Sequence, residues 1–135
     1  MIARCVANSA EAIPQYLGLL FFDQSVKFQL TIGGLYPVLG MELYRDILQI
    51  LVPDNSEHKY PQWLPLELFE TENSEVRTNW YFRSYPSGTA ARERGFRARW
   101  GYRQLVESDE HRDGLEDLDP DALAVFAEEL AQAAG

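Results

Sequence analysis

The chain of 135 residues has one cysteine, Cys5, and two histidines, His58 and His111. A lone cysteine excludes an internal disulfide and fits a reducing cytoplasm. Cys5 reads as a small buried hydrophobe on an opening strand, Ile2 to Val6. A thiol nucleophile would need one of the two histidines beside it in space. Also missing are a glycine-rich phosphate loop and the G-x-S-x-G, H-E-x-x-H and C-x-x-C patterns. No targeting segment is expected, because no continuous apolar stretch follows Arg4. The apolar run Leu17–Phe22 stops at Asp23, far short of the about 20 residues a spanning helix needs, and reads as core. These absences argue against an enzyme, a secreted disulfide scaffold and a membrane protein.

What is present is a globular composition. The apolar share is 46%, and three Trp, seven Tyr and seven Phe can fill a core in one domain spanning 1–135. The net charge of −9 argues against a general basic surface for nucleic acid. That average conceals a division. Residues 1–76 are net −6, residues 77–103 carry seven arginines against one acid, and residues 104–135 are net −9.

Residues 28–70 organise the rest. Leu30-Thr31-Ile32 reads as a short strand, broken by Gly33-Gly34, where positive φ costs glycine little. Leu35 to Leu39 reads as a second strand. Its Pro37 gives no ladder N–H, so the strand belongs at an edge or a bulge. Leu43 to Val52 reads as one long strand. Pro53-Asp54-Asn55-Ser56 is a turn by composition, and Trp63 to Leu66 returns as a strand.

The pieces LTIGGLYPVLG, ILQILVPDN and YPQWLPLELFE, followed by TNWYF, resemble a family of small bacterial proteins of unknown function. That family carries L-T-x-G-x-x-Y-x-V and then W-x-P-x-x-L-F around a core similar to SH3-like barrels. RWGYRQLVESDEHRDGL and ALAVFAEEL extend the resemblance over most of the chain. It implies a fold and brings no catalytic residues. The expectation is an α+β protein: a small, strongly bent antiparallel SH3-like β-barrel over about 24–82, with an N-terminal arm, and an added strand and acidic helical tail over about 95–135.

The flanking segments follow from local signals. Residues 10–22 read as a short helix or packed arm, with Ser9 as N-cap. Glu75 to Phe82 reads as a strand and Ser84 to Arg94 as a loop. In Gly95 to Trp100 the alternation sets Phe96, Ala98 and Trp100 on one face and Arg97 and Arg99 on the polar other. Tyr102 to Glu107 begins helix. A second short helix over Asp109–Leu118 is interrupted by Gly114. Asp119-Pro120 then starts an amphipathic helix with Leu123, Phe126 and Leu130 on one face.

Three constellations carry functional readings. Between Arg77 and Arg103 seven arginines interleave with seven aromatics. Guanidinium forks bind phosphate and aromatic rings stack bases, so this segment is a candidate single-strand nucleic-acid surface, with Arg97 and Arg99 at its centre. The competing reading turns the aromatics inward and pairs the arginines with the chain's own tail acids. In the tail, Glu110 and His111 form a carboxylate–histidine pair, a weak general-base signature for a small hydrolase. The same acids fail as a calcium loop. Counting from Asp109, the sixth position is Gly114, but the third is His111 and the twelfth Pro120. Finally, Tyr60 and Trp63, between Pro61 and Pro65, form a rigid aromatic ledge suited to an extended peptide. The reading is a cytoplasmic, non-catalytic bacterial protein without cofactor or metal, whose partner is another protein or a second copy of itself. Its narrower form is an immunity or inhibitor protein, since toxins that attack nucleic acid are often basic.

Overall fold

The computed structural model describes residues 1–16, 23 and 25–134. The strands are β1 (Ile2–Cys5), β2 (Leu35–Pro37), β3 (Gly40–Tyr44), β4 (Ile47–Pro53), β5 (Pro61–Pro65), β6 (Phe69–Asn73), β7 (Tyr81–Ser84) and β8 (Phe96–Gly101). The helices are α1 (Ala90–Glu93), α2 (Arg103–Glu107), α3 (Asp109–Glu116) and α4 (Pro120–Ala134). Short 3₁₀ turns occupy Ala10–Ala12, Pro14–Tyr16 and Leu66–Leu68.

Two antiparallel sheets form, in the orders β2-β1-β6 and β5-β4-β3-β8-β7. Among the described residues no pairing closes them on themselves or on each other, so the expected closed barrel is not confirmed. The α+β class and the C-terminal helix are as expected. The larger sheet lies between two layers. Ile50, Val52 and Leu64 on one face share a core with Ala3, Cys5, Tyr36 and Phe69 of the smaller sheet. Leu51, on the opposite face by alternation, packs with Leu105, Leu115 and Phe126 of the helices.

Several expectations are corrected. Residues 30–32 form no strand. The long strand over 43–52 is instead a hairpin, in which Tyr44 pairs Ile47 across the two-residue turn Arg45-Asp46. Arg45 sits at φ 53, an uncommon conformation for a non-glycine. Its N–H donates to the Gly95 carbonyl at 2.6 Å, and its guanidinium lies 5.4 Å from the Tyr44 ring centre. The strand expected over 75–82 is displaced to 81–84, and the loop over 84–94 contains α1, N-capped by the Thr89 hydroxyl. In the arm over 10–22, residues 17–22, together with the core assigned to them, lie outside the described residues.

β2 is an edge strand, as Pro37 requires. Gly40 and Gly101 face each other across β3 and β8, and α2 seats Leu105 on them. A Cβ on Gly40 would lie 2.9 Å from the Trp100 carbonyl oxygen and would also strike Leu105 Cδ2. α3 runs through Gly114 without a break. A Cβ there would stand 2.9 Å from Ala122 Cβ, so that glycine serves the close approach of α4. Asp119 Oδ2 accepts from the Ala122 N–H at 3.2 Å, and Pro120 opens α4.

Candidate functional site

The arginine-rich segment divides between the two sides of the larger sheet and its free edge. One cross-strand row runs Arg83, Arg99, Glu42, Gln49 and Pro65 through β7, β8, β3, β4 and β5. Residues directly opposite one another share a face, and here that is the face toward the helices. The expectation that Arg99 shares a solvated face with Arg97 is therefore wrong. Arg99 is 1% exposed, because α3 lies over this end of the sheet. The alternation holds for Ala98, Arg99 and Trp100, but a register shift between the Leu43–Ala98 and Tyr44–Phe96 pairs turns Phe96 to the helix side, where its ring lies 5.2 Å from the Arg99 guanidinium.

Beneath α3 the buried Glu42 is the shared acceptor of two guanidinium groups. Arg99 Nε donates to its Oε2 at 3.2 Å. Arg112 donates twice, from Nε to Oε2 at 3.1 Å and from Nη2 to Oε1 at 2.5 Å. Arg99 Nη1 also reaches the Leu105 carbonyl and Asp109 Oδ1, each at 3.3 Å. Arg112 Nη1 lies 2.5 Å from Glu116 Oε1, close enough for an ion pair although the angle does not suit a hydrogen bond. Aromatic faces fill the remaining space. The Arg112 guanidinium is 4.6 Å from the Phe96 centre and 5.5 Å from Trp63, and that of Arg99 is 5.3 Å from Tyr85. Burial opposes the Arg112 charge, but the hydrogen bonds of Glu42 and the charges of Glu42 and Glu116 outweigh it and hold its pKa above the ordinary value. The Tyr85 hydroxyl, in a 2% exposed residue, has no hydrogen-bond partner, and burial raises its pKa.

Other arginines meet acids at the surface. Arg94 pairs with Asp113 at 3.1 Å and Arg103 with Glu107 at 2.9 Å. Arg97, exposed, stands only 3.9 Å from an almost fully exposed Asp46, a pair worth little in water. The tail thus neutralises part of the basic segment within the chain. Among the described residues Arg77 and Arg83 form no ion pair. Arg83 instead stacks at 5.2 Å on Tyr85, the ring that Arg99 also approaches.

The aromatics divide likewise. Tyr85, Phe96 and Tyr102 are buried, whereas Tyr81 and Phe82 on β7 are 44% and 58% exposed. Phe82 leans on the half-buried Trp100 at 5.0 Å. Among the described residues β7 is an edge strand, with no strand beside its outer backbone groups. The exposed remainder of the segment therefore includes the edge carrying Tyr81, Phe82 and Arg83, with Arg77 nearby in sequence, and Arg97 on β8.

The remaining candidate residues do not converge. Tyr60 is at the surface, its ring 5.2 Å from that of His58. Trp63 is half-buried against the helix-side core, under Arg112, with its indole N–H buried and unpartnered. The two therefore form no ledge. Glu110 and His111 line a small open pocket with Asp119, Asp121 and Val125. Burial lowers the His111 pKa, and its Nε2 is 2.6 Å from the Tyr102 hydroxyl. Burial and then the charge of Glu129 raise the Tyr102 pKa, so that hydroxyl keeps its proton, and the direction of its hydrogen bond with His111 follows the imidazole tautomer. This ring nitrogen is thereby occupied by the buried Tyr102 hydroxyl. Among the described residues no group of three His, Cys, Asp or Glu is arranged to hold a metal ion. No described helix is long and apolar enough to cross a membrane.

No family model matches the chain, and no curated protein or solved structure matches it significantly.

Proposed function

We propose that this protein is a non-catalytic protein-binding module. One observation carries the reading: β7 presents two exposed aromatics and an arginine with no ion pair among the described residues on an open sheet edge, while Arg94, Arg99 and Arg103 are engaged inside the chain or at its surface. Exposed aromatics and an arginine on an open strand edge suit a protein partner. The narrower form, a bacterial cytoplasmic immunity or inhibitor protein, is supported by the net charge of −9. In the same reading the two sheets are parts of a strongly bent SH3-like barrel, as the resemblance to that bacterial family implies.

A second reading uses the same surface. Tyr81, Phe82 and Arg83 offer stacking planes and a phosphate contact for single-stranded nucleic acid. Arg99 is buried and Arg94 and Arg103 are paired, so three of the seven arginines are withdrawn from counterion release. A small hydrolase is the least favoured reading, because His111 is held by Tyr102.

The test is affinity capture from cell lysate at low and moderate salt, with nuclease in parallel, using the wild-type chain and Phe82→Asp. A discrete protein that survives nuclease and is lost with Phe82→Asp supports the module. Retained nucleic acid that salt elutes moves the assignment to the second reading.

A further inference from the structure

We infer that β7 is a strand-addition site for an extended segment of a partner protein in which acidic and apolar residues alternate. This rests on the protein-binding reading and specifies the partner's chemistry. The backbone supplies the first argument. The Tyr85 N–H donates to the Arg97 carbonyl at 2.9 Å, toward β8. By strand alternation the N–H and C=O of Arg83 also turn toward β8, and those of Phe82 and Ser84 turn outward. β7 thus offers two residues' worth of ladder groups to an incoming strand, and main-chain pairing of this kind supplies affinity without a deep pocket.

The side chains supply the second argument. Phe82 and Arg83 point to opposite faces. On one face Phe82 and Trp100 make an aromatic strip 5.0 Å from ring to ring, and an added apolar residue extends it. On the other, Arg83 has no ion-pair partner among the described residues and stacks at 5.2 Å on the Tyr85 ring. Arg99 approaches the same ring, but Glu42, Asp109 and Glu116 already answer Arg99 and Arg112, so the free charge at this face is that of Arg83 alone. An acidic residue opposite Arg83 complements that charge, and a basic one is repelled. The occupant therefore has acids toward the Arg83 face and apolar side chains toward Phe82.

The probe is a capped peptide of alternating glutamate and valine, titrated into the full chain while backbone amides are followed by NMR. A lysine–valine peptide and an eight-residue oligothymidylate run in parallel. The expected result is that the glutamate–valine peptide shifts and protects the amides of Phe82 and Ser84 while the lysine–valine peptide does not. Arg83→Glu weakens this binding about tenfold. Ser84→Pro removes one outward donor, leaves the β8 ladder intact and also weakens binding. Unmoved β7 amides overturn the inference, and so does equal binding to Arg83→Glu. Larger shifts with oligothymidylate overturn it in favour of nucleic acid, and shifts that follow protein concentration alone overturn it in favour of a second copy. If these amides stay still while lysate capture still yields a Phe82-dependent protein, strand addition falls and the protein-binding reading stands.

Discussion

Arg83 and Arg99 stand opposite each other on neighbouring strands and point to the same face of the sheet, yet one is exposed and the other is 1% exposed. Residue type and strand position do not separate them. The cover does: α3 brings Arg112 over Arg99 and Glu42, and β7 lies at the edge beyond. The same residue type is thus part of the interior on β8 and a free contact on β7. Buried charges are weak evidence of net stability, because desolvation offsets much of the attraction. Removing one partner is costly all the same, because it strands the others.

The strongest break of this contrast is Glu42→Ala. It leaves Arg99 and Arg112 buried without their shared acceptor, and denaturant unfolding should show a loss of about 3–5 kcal/mol. Replacing Glu42, Arg99 and Arg112 together by apolar residues of similar volume should recover most of that loss. If the triple variant is as unstable as Glu42→Ala, stranded charge is not the cause.

Next comes the seat of α2 beneath the same network. Gly40→Ala drives a methyl against the Trp100 carbonyl and Leu105, at an expected cost of about 1–3 kcal/mol. Leu105→Ala in the same chain should relieve part of this strain in a double-mutant cycle. Strict additivity of the two losses would contradict the packing described.

A smaller effect concerns pH. Burial lowers the His111 pKa below its unfolded value, so below about 6.5 the unfolded chain binds the extra proton more readily. This group's contribution to stability is therefore complete above that pH and falls as pH drops through the range beneath it. His111→Gln should flatten the pH dependence of stability below about pH 6.5 relative to wild type. Identical slopes for the two proteins would remove His111 as a contributor.

The smallest expected change in stability is at the edge. Arg83→Glu should alter unfolding by no more than about 0.5 kcal/mol while abolishing selection for acidic peptides. A large stability loss would mean that Arg83 belongs to the buried cluster after all.

Local signals revealed much of this fold. Asp119-Pro120 marked α4, the alternation of Phe96 to Trp100 marked β8, and Pro37 marked an edge strand. The β3–β4 turn was hidden because Arg45-Asp46 carries no glycine or asparagine, and a long-range bond to Gly95 helps hold its positive φ. The buried cluster was hidden for another reason. Glu42 meets Arg99 and Arg112 across 57 and 70 positions of sequence, and no local period reports such a pairing. The excess of tail acids over bases did point to internal pairing, without saying which arginines it would consume. Tyr81, Phe82 and Arg83 were visible as part of the basic-aromatic segment, but their exposure depends on sheet order, which the sequence does not display.

The most direct measurement is the unfolding free energy of Arg99→Ala and Arg83→Ala side by side in denaturant. The account predicts a loss of about 3–5 kcal/mol for Arg99→Ala and no more than about 0.5 kcal/mol for Arg83→Ala. Equal losses, or a larger one at Arg83, would contradict the division of the arginine segment into a buried half and an exposed edge.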